Sequence, residues 1–351
     1  MRLAPAEYTN SKGQHAVKET ISLDLKKIEA LTLDVLISNG ADQPSAKAVA
    51  QTIVKAERDC ALSHGLFRVP GYVAALRSGK VNGHANPTLV SKTPTVLACD
   101  AENAFTPRAH NVALPKLIEA AKTFGLAGLS LQRSHHFAAL WPELETLSEA
   151  GLVGMTCVSY LPWVAPHGGQ TPIFGTNPFG FSWPRPGLTP IVIDMATSAM
   201  AMGEVQIAAR EGHEVPLGTG LSPKGEFTTE AAEIAKGVLL PFGGHKGSAL
   251  ALMIELLAGP LVGETFSYET QERDNGDGGP AQGGQFILAM SPDVFSDKDW
   301  AKQTAAFTQK FSAIKGARLP GAKRHAARKN PGPRQVNAEL LAHIKSLRVA
   351  P

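Results

Sequence analysis

The 351-residue chain has few of the features that mark secreted, membrane-spanning or zinc-binding proteins. It holds only three cysteines, widely separated and without metal-ligand spacing: Cys60, Cys99 and Cys157. Such scattered thiols indicate reduced cysteines, so we expect a cytoplasmic protein with no bound metal. Residues 1–14 lack the apolar core of a signal peptide. The most apolar run, Ser248 to Val262, is too short to span a bilayer, and we interpret it as a buried helix.

A strong charge imbalance is also missing, since the formal net charge is only +3. Basic residues are concentrated between Lys315 and Arg334, but no aromatic residues alternate with them. We therefore expect no nucleic-acid partner and interpret this segment as a site for a phosphate-bearing cofactor or as a solvated surface.

The sequence contains no credible Rossmann fingerprint. Residues Gly276 to Ala281 match its glycine spacing, but a polar stretch precedes them and a predicted strand, Gln285 to Met290, follows. A Rossmann motif needs a strand before it and a helix after it. Pro241 to Gly247 is a better phosphate site, because glycines and Lys246 precede an apolar helix. A simple helix-entry turn is the alternative.

Periodicity and turn residues predict a mixed α/β fold, and the chain length suggests about two domains. We predict helices from Leu23 to Ser38, from a Ser45 cap to Cys60, and from Ala113 to Phe124. The predicted strands are Pro94 to Cys99, Leu126 to Leu131, Val153 to Tyr160, Phe179 to Trp183 and Pro190 to Met195.

His64 and Arg68 form the most informative pair. If the preceding helix continues, their i,i+4 spacing places an imidazole and a guanidinium on one face, where both can meet a small acidic substrate. Ser63 adds a hydroxyl group beside the imidazole. A solvated or helix-capping pair is the alternative. The adjacent His135 and His136 have no third ligand at a helical spacing, which argues against a metal.

From about Leu25 to Leu347 the chain resembles the malate/L-lactate dehydrogenase family, whose fold is not that of the Rossmann lactate dehydrogenases. Within the family it is most similar to the Δ1-piperideine-2-carboxylate/Δ1-pyrroline-2-carboxylate reductases. Five ordered motifs carry the resemblance: Ser63 to Arg68, Ser134 to Pro142, Phe174 to Pro178, Gly203 to Arg210 and Leu240 to Ser248.

The resemblance implies an α+β fold and a homodimer. An NADPH-binding domain with a largely antiparallel sheet would span residues 130–295, and the segments 1–129 and 296–351 would form a helical substrate and dimerisation unit. NADPH would be preferred over NADH. The implied cofactor-binding residues are His136, Phe137, Ala138, Ala139, Leu140, Asp194, Met195, Ala196, His245, Lys246, Arg318, Leu319, Pro320, Gly321, Ala322, Lys323 and Arg324.

The same resemblance assigns substrate binding to Arg68, Thr176, Met202 and Gly203, and a proton relay to Ser63, His64 and Glu204. Two positions depart from the family pattern, because the reductases carry histidine and aspartate where this chain has Met202 and Glu204. Glutamate keeps the charge but is one methylene longer, and methionine makes the pocket wall more apolar.

The chemistry of these residue types fits the implied reaction. A cyclic 2-imino acid accepts a hydride at its imine carbon once the ring nitrogen is protonated. His64 can supply the proton, and we expect Glu204 to favour its charged form, while Arg68 binds the carboxylate. We therefore expect an NADPH-dependent reductase that makes L-pipecolate or L-proline, with no membrane partner. A 2-hydroxy-acid dehydrogenase acting on malate, lactate or ureidoglycolate and a non-catalytic dinucleotide-binding protein are the alternatives.

Overall fold

The computed structural model describes residues 19–136 and 138–349. Phe137 and residues 1–14, both used in the sequence analysis, lie outside the described residues. The helices are α1 Leu25–Ser38, α2 Gln43–Arg58, α3 Val69–Arg77, α4 Thr106–Phe124, α5 Trp141–Glu149, α6 Met202–Glu211, α7 Ala231–Ile234, α8 His245–Ala258, α9 Ser267–Arg273, α10 Pro292–Phe295, α11 Trp300–Ala313, α12 Ala322–Arg328 and α13 Ala338–Ser346. The strands are β1 Thr20–Leu23, β2 Thr88–Thr93, β3 Val96–Asp100, β4 Leu126–His135, β5 Val153–Val158, β6 Phe179–Trp183, β7 Ile191–Met195, β8 Gly220–Leu221, β9 Val238–Leu239, β10 Gln282–Met290 and β11 Arg334–Asn337.

A seven-stranded sheet in the order β2-β3-β4-β10-β5-β6-β7 forms the centre of the described chain. Neighbouring strands are antiparallel except β3 and β4, which are parallel. Alternate residues of β10 serve opposite faces, as the period of a strand requires: Ile287 packs into the core shared with α4, and Phe286 packs beside Ile254 of α8. The predicted α/β fold with a largely antiparallel sheet is confirmed.

The N-terminal helices and the C-terminal segment share a second core. Side chains from α1, α2 and α3 pack with Val336, Leu341 and Ile344 near the C-terminus, and β1 pairs with β11. The proposed boundary between residues 129 and 130 falls inside β4, whose sheet also contains β2 and β3. The division into units 1–129 with 296–351 and 130–295 stays a prediction.

Several element boundaries differ from those expected from sequence. The N-cap of α2 is Asp42, whose carboxylate accepts a hydrogen bond from the Ser45 amide at 2.8 Å, so the prediction of Ser45 as the cap is wrong. The helix α4 begins seven residues earlier than predicted, at Thr106, and tolerates Pro115 in its interior. The apolar segment after Ser248 is helical as far as Ala258, but only one face of this helix is buried. Ala251 and Ile254 are buried, whereas Leu250, Leu252, Met253 and Leu256 are exposed in the single chain.

Among the described residues, no helix is both long and apolar enough to cross a membrane. Gly276 to Ala281 lies between α9 and β10, so a strand follows it, as the sequence predicted.

Candidate active site

A cavity of about 920 Å³ lies where the end of α2, the start of α5, β7, α6 and α12 meet. Its volume is within the range of about 300–1,000 Å³ that is usual for ligand sites. Its lining includes Ser63, His64 and Arg68 as well as residues around Asp194 and Arg324, and Trp141 contacts both His64 and Arg324. The structure thus brings together residues that are more than 250 positions apart in the sequence.

The segment that carries His64 and Arg68 is not a continuation of α2. It forms two short 3₁₀ turns, Leu62–His64 and Leu66–Arg68, separated by Gly65. The Glu57 carboxylate accepts a hydrogen bond from the Leu66 amide at 2.7 Å, and a Cβ at Gly65 would overlap with that carboxylate. The predicted i,i+4 placement on one helix face is therefore wrong, although both side chains still line the same cavity.

Arg68 is oriented by contacts within this turn. Its Nε donates to the Ser63 carbonyl oxygen at 2.7 Å, which fixes the plane of the guanidinium. Gly203, at the start of α6, lies against the other side, since a Cβ there would come within 2.7 Å of Arg68 Nη2. Tyr160 also lines the cavity. Burial lowers the pKa of the Arg68 guanidinium, and the charge interaction with Tyr160 opposes this lowering.

Ser63 and His64 form a hydrogen-bonded pair, with Ser63 Oγ 3.0 Å from His64 Nδ1. Trp141 faces the imidazole edge-on, with ring centroids 6.2 Å apart. Burial, and after it the positive charge of Arg68, lower the pKa of His64 to about 3. The expectation that Glu204 favours the charged imidazole is therefore not met in the ligand-free chain, where His64 is neutral near pH 7.

Glu204 and Met202 both line the cavity, on either side of Gly203, which lies against Arg68. Glu204 is exposed in the first turn of α6, whereas Met202 is buried and also packs with Val205 and Phe174. The apolar wall expected from Met202 is present. The role of Glu204 in proton transfer stays a prediction.

Thr176 lines the cavity in a turn that is fixed from behind. The neighbouring Asn177 is fully buried and donates from Nδ2 to Glu255 at 2.8 Å, and the Gly175 amide donates to Ser267 Oγ at 3.0 Å. The Thr176 carbonyl oxygen accepts from the Thr197 amide at 2.9 Å. The residues on both sides of Thr176 therefore mainly stabilise the turn that holds Thr176 in the cavity wall.

Asp194 contributes mainly by capping a helix. Its Oδ2 accepts hydrogen bonds from the amides of Leu140 at 2.9 Å and Trp141 at 3.1 Å, at the start of α5. Burial raises the pKa of Asp194, and these amides and the charge of Arg324 oppose the rise. The Arg324 guanidinium in turn lies 5.0 Å from the Trp141 ring centroid, a cation–π contact.

Several residues of the cavity fit a dinucleotide. Lys323 and Arg324 supply positive charge for phosphate groups, and His136, Ala138, Ala139, Leu140, Met195 and Ala196 complete the lining together with Asp194. Within the described chain, His136 Nε2, Trp141 Nε1 and Arg324 Nε are buried without a hydrogen-bond partner. Buried donors normally have partners, so three such nitrogens around one cavity are consistent with a ligand that supplies acceptors.

Not every predicted cofactor residue reaches this cavity. His245 and Lys246 are exposed at the start of α8 and are not part of its lining, and neither are the loop residues Arg318, Leu319, Pro320, Gly321 and Ala322. Phe137 lies outside the described residues. For these positions cofactor binding stays a prediction.

The sequence analysis missed other residues that shape the site. Tyr160, Trp163 and Trp141 line the cavity, and the rings of Tyr160 and Trp163 pack edge to face with centroids 5.3 Å apart. Glu57, which stabilises the turn that carries His64 and Arg68, was also missed. The available signal was the position of Tyr160 and Trp163 just after β5, where a strand ends and ligand-binding side chains often lie.

Comparison with known proteins identifies the family. The family model for malate/L-lactate dehydrogenase matches residues 23–344. The chain belongs to the malate/L-lactate dehydrogenase family. Members of this oxidoreductase family use a nicotinamide dinucleotide, which accords with the basic residues of the cavity.

Individual relatives in the malate/L-lactate dehydrogenase family cover almost the whole chain. A Δ1-pyrroline-2-carboxylate reductase of Ancylobacter novellus is 43% identical over 94% of this chain and 98% of its own. A Δ1-pyrroline-2-carboxylate/Δ1-piperideine-2-carboxylate reductase of Pseudomonas aeruginosa is 42% identical over 93% and 100%. The crystal structure of Δ1-piperideine-2-carboxylate reductase from Pseudomonas syringae pathovar tomato superposes with a TM-score of 0.89 at 38% identity, covering 93% of this chain and 100% of that one.

Proposed function

We propose that the chain reduces the cyclic 2-imino acids Δ1-piperideine-2-carboxylate and Δ1-pyrroline-2-carboxylate to L-pipecolate and L-proline with NADPH. The observation that carries the proposal is that Arg68, His64 and Ser63 line the same cavity as Lys323 and Arg324. The two reductases that are about 40% identical to the chain support the choice of substrate.

Arg68 binds the substrate carboxylate. The contact of its Nε with the Ser63 carbonyl oxygen aims the guanidinium, and a planar, two-pronged contact fixes which ring face is presented for reduction. Gly203 permits this placement, because any side chain there would displace Arg68.

His64 supplies the proton that the imine nitrogen requires. The positive charge of Arg68 contributes to the low pKa of His64, so a carboxylate bound at Arg68 raises that pKa and favours proton uptake as the substrate arrives. Ser63 Oγ engages Nδ1, which leaves Nε2 for exchange with the ring nitrogen. Trp141, Trp163 and Met202 add apolar surface to the same cavity.

A reduced nicotinamide, when bound, supplies the hydride. Lys323 and Arg324 would hold its phosphate groups, and we assign the preference for NADPH over NADH to them, because a 2′-phosphate adds negative charge where they are placed. The overall reaction consumes the imine, NADPH and one proton, and forms the cyclic amino acid and NADP⁺.

A panel of substrates tests the proposal. NADPH and NADH oxidation are measured with piperideine-carboxylate, pyrroline-carboxylate, pyruvate and oxaloacetate, and we expect the imines with NADPH to give the highest kcat/KM. Faster turnover of a 2-oxo acid would favour a 2-hydroxy-acid dehydrogenase, and cofactor binding without turnover of any substrate would favour a non-catalytic protein.

Arg68→Lys links the panel to the site, because an ammonium cannot reproduce the two-pronged contact and KM for the imine should rise. Arg210→Lys is the matched control: both guanidiniums lie over the Phe67 ring, at 5.4 and 5.5 Å, but Arg210 does not line the cavity. An imine KM that is unchanged in Arg68→Lys would exclude this role.

We also propose that the chain is a homodimer that buries the outer face of α8. Leu252 and Leu256 on this helix are each about half exposed, at 50% and 49%, and large apolar patches of this kind are typical of interfaces. Sedimentation of the chain should give a dimer and Leu252→Glu should weaken it, whereas Leu217→Glu, at an exposed leucine outside α8, should not. A monomeric wild type would refute this proposal. The cytoplasmic location also stays a prediction.

A further inference from the structure

Arg328, the last residue of α12, makes a concentrated set of ionic contacts. Its Nε and Nη2 donate to the two oxygens of Asp59 at 2.8 and 2.5 Å, and Nη2 also donates to Glu145 at 2.7 and 2.8 Å. The Asp59 side chain is fully buried, and the side chains of Glu145 and Arg328 are 7% and 20% exposed. Ion pairs that are this shielded are sensitive to the loss of either partner.

The three segments joined by these contacts all contribute residues to the cavity lining. The helix α12 carries Lys323 and Arg324 in its first turn, one helical turn before Arg328. Asp59 immediately follows α2, and the chain from it runs along the cavity wall to His64. Glu145 lies in α5, whose first residue, Trp141, contacts both Arg324 and His64.

Among the described residues, the other side-chain contacts made with α12 are longer than those of Arg328. His325 Nε2 lies 3.1 Å from the Pro190 carbonyl oxygen, and Arg324 Nη2 donates weakly to the Val192 carbonyl oxygen at 3.4 Å. Arg58 also binds Asp59, with its Nε 2.8 Å from Oδ1, but it belongs to the same side of the junction as Asp59. Arg334 also connects the two sides, since its Nη2 donates to the Ala327 carbonyl oxygen of α12 at 3.4 Å and to the Arg58 carbonyl oxygen at 2.9 Å. Its contact with α12 is long, so the short contacts of Arg328 are the main side-chain link between α12 and the segment leading to His64.

We propose that Arg328 is a positioning residue that fixes the cofactor-facing helix α12 to the segment carrying Ser63 and His64, through its simultaneous contacts with Asp59 and Glu145. The inference rests on the proposed function in assigning α12 to the cofactor. Its consequence is that the phosphate-binding side chains and the proton-transferring imidazole keep a fixed separation. A shift of about 1 Å in such a separation can slow a reaction about 100-fold.

The guanidinium geometry is essential to this role. Its fork reaches two carboxylates at once, whereas a lysine keeps the charge but presents one compact ammonium group. Arg328→Lys is therefore the informative variant, and Lys329→Met, at the exposed neighbouring position, is the matched control for a change in a basic side chain. Glu145→Gln is the second variant, for use if Arg328→Lys folds poorly. It removes the charge of a carboxylate that Arg328 contacts and keeps the shape of that side chain.

Cys60 provides a readout that does not depend on turnover. It follows Asp59, lines the cavity and is exposed, whereas Cys99 and Cys157 are buried. The rate at which a thiol reagent modifies Cys60 therefore reports on the mobility of the segment that leads to His64. It is measured with and without NADP⁺, beside the Kd values of NADPH and NADH from fluorescence titration and the imine kcat.

The measurements are made at a temperature where circular dichroism shows the variants fully folded. In Arg328→Lys without ligand, we expect the reagent to modify Cys60 several-fold faster than in wild type. We also expect this variant to bind NADPH about tenfold more weakly and to have a lower kcat. Glu145→Gln should change the same quantities in the same direction, and Lys329→Met should change none. A variant that is less stable but keeps the wild-type thiol rate, Kd and kcat would overturn the proposal, because Arg328 would then be purely structural. If wild type binds neither cofactor, the proposed function fails, and an unchanged or increased Cys60 rate in ligand-free Arg328→Lys still decides the positioning role.

Discussion

Glu143 is buried in the first turn of α5 with a protonation state that can be tested directly. Its Oε1 accepts from Gln285 Nε2 at 2.8 Å, and the same amide group is held by Thr156 Oγ1 at 2.9 Å and by His110 at 2.7 Å. Only 3% of Glu143 is exposed. Burial, with a smaller contribution from the charge of Asp194, raises the pKa of Glu143 from 4.5 to about 8. The folded chain therefore holds this carboxyl group protonated at pH 7.

A raised pKa in the folded state makes the free energy of unfolding depend on pH. The contribution of Glu143 is fully favourable below pH 4.5, where both states are protonated, and is lost progressively as the pH rises to about 8. Between pH 5 and pH 8 the loss amounts to about 3 kcal/mol at 1.36 kcal/mol per pH unit. Glu143→Gln has nearly the shape of the protonated acid and cannot ionise, so it should not show this loss.

We therefore expect Glu143→Gln to gain about 3 kcal/mol relative to wild type between pH 5 and pH 8. Urea unfolding of both proteins at pH 5, 6, 7 and 8 measures the difference, and other ionisable groups cancel in the comparison. Glu149→Gln, at the exposed end of the same helix, is the control and should leave the pH dependence unchanged. Parallel stability profiles for wild type and Glu143→Gln would refute the reasoning.

Three further predictions concern the cavity. Gly203→Ala should push Arg68 aside and raise the imine KM about tenfold in steady-state assays, and an unchanged KM would show that Arg68 is not held there. His64→Ala should lower kcat about 100-fold or more while the Kd of NADPH stays within about twofold, and near-normal turnover would exclude it as the proton donor. Lys323→Ala should weaken NADPH binding about tenfold and NADH binding less. Lys246→Ala should have the smaller effect on both Kd values, because Lys246 lies outside the cavity lining, and a larger effect of Lys246→Ala would move the phosphate site to the start of α8.

Sequence patterns identified the elements whose signals are local. Asn39 and Gly40 end α1 as predicted, with Gly40 in the left-handed region at φ 96°, and the apolar run after Gly125 is the buried strand β4. The strand β2 was missed, because it is a polar and largely exposed edge strand without a buried alternation. The helix α4 also begins before the predicted Ala113, with Pro107 in its first turn, where proline is favoured.

The site was predicted where linear motifs carry it and was missed where distant segments meet. Ser63, His64, Thr176 and Arg324 belong to motifs or basic segments that are visible in the sequence, and all of them line the cavity. The contact of Arg328 with Asp59 joins positions 269 residues apart, and no local pattern in the sequence indicates such a contact. Likewise, the low pKa of His64 depends on burial and on the position of Arg68 in space, which spacing alone does not reveal.

The wrong helix prediction for His64 and Arg68 shows how the local break serves the site. A continuous helix would offer only the spacing of one turn between the two side chains, with no backbone contact to orient the guanidinium. The break at Gly65 instead turns the Ser63 carbonyl oxygen toward Arg68 Nε, and the Glu57 carboxylate satisfies the Leu66 amide that the break leaves without a helical partner. The same turn places Ser63 Oγ beside His64 Nδ1. A helix would satisfy its own backbone, whereas this turn uses backbone groups to orient residues that line the cavity.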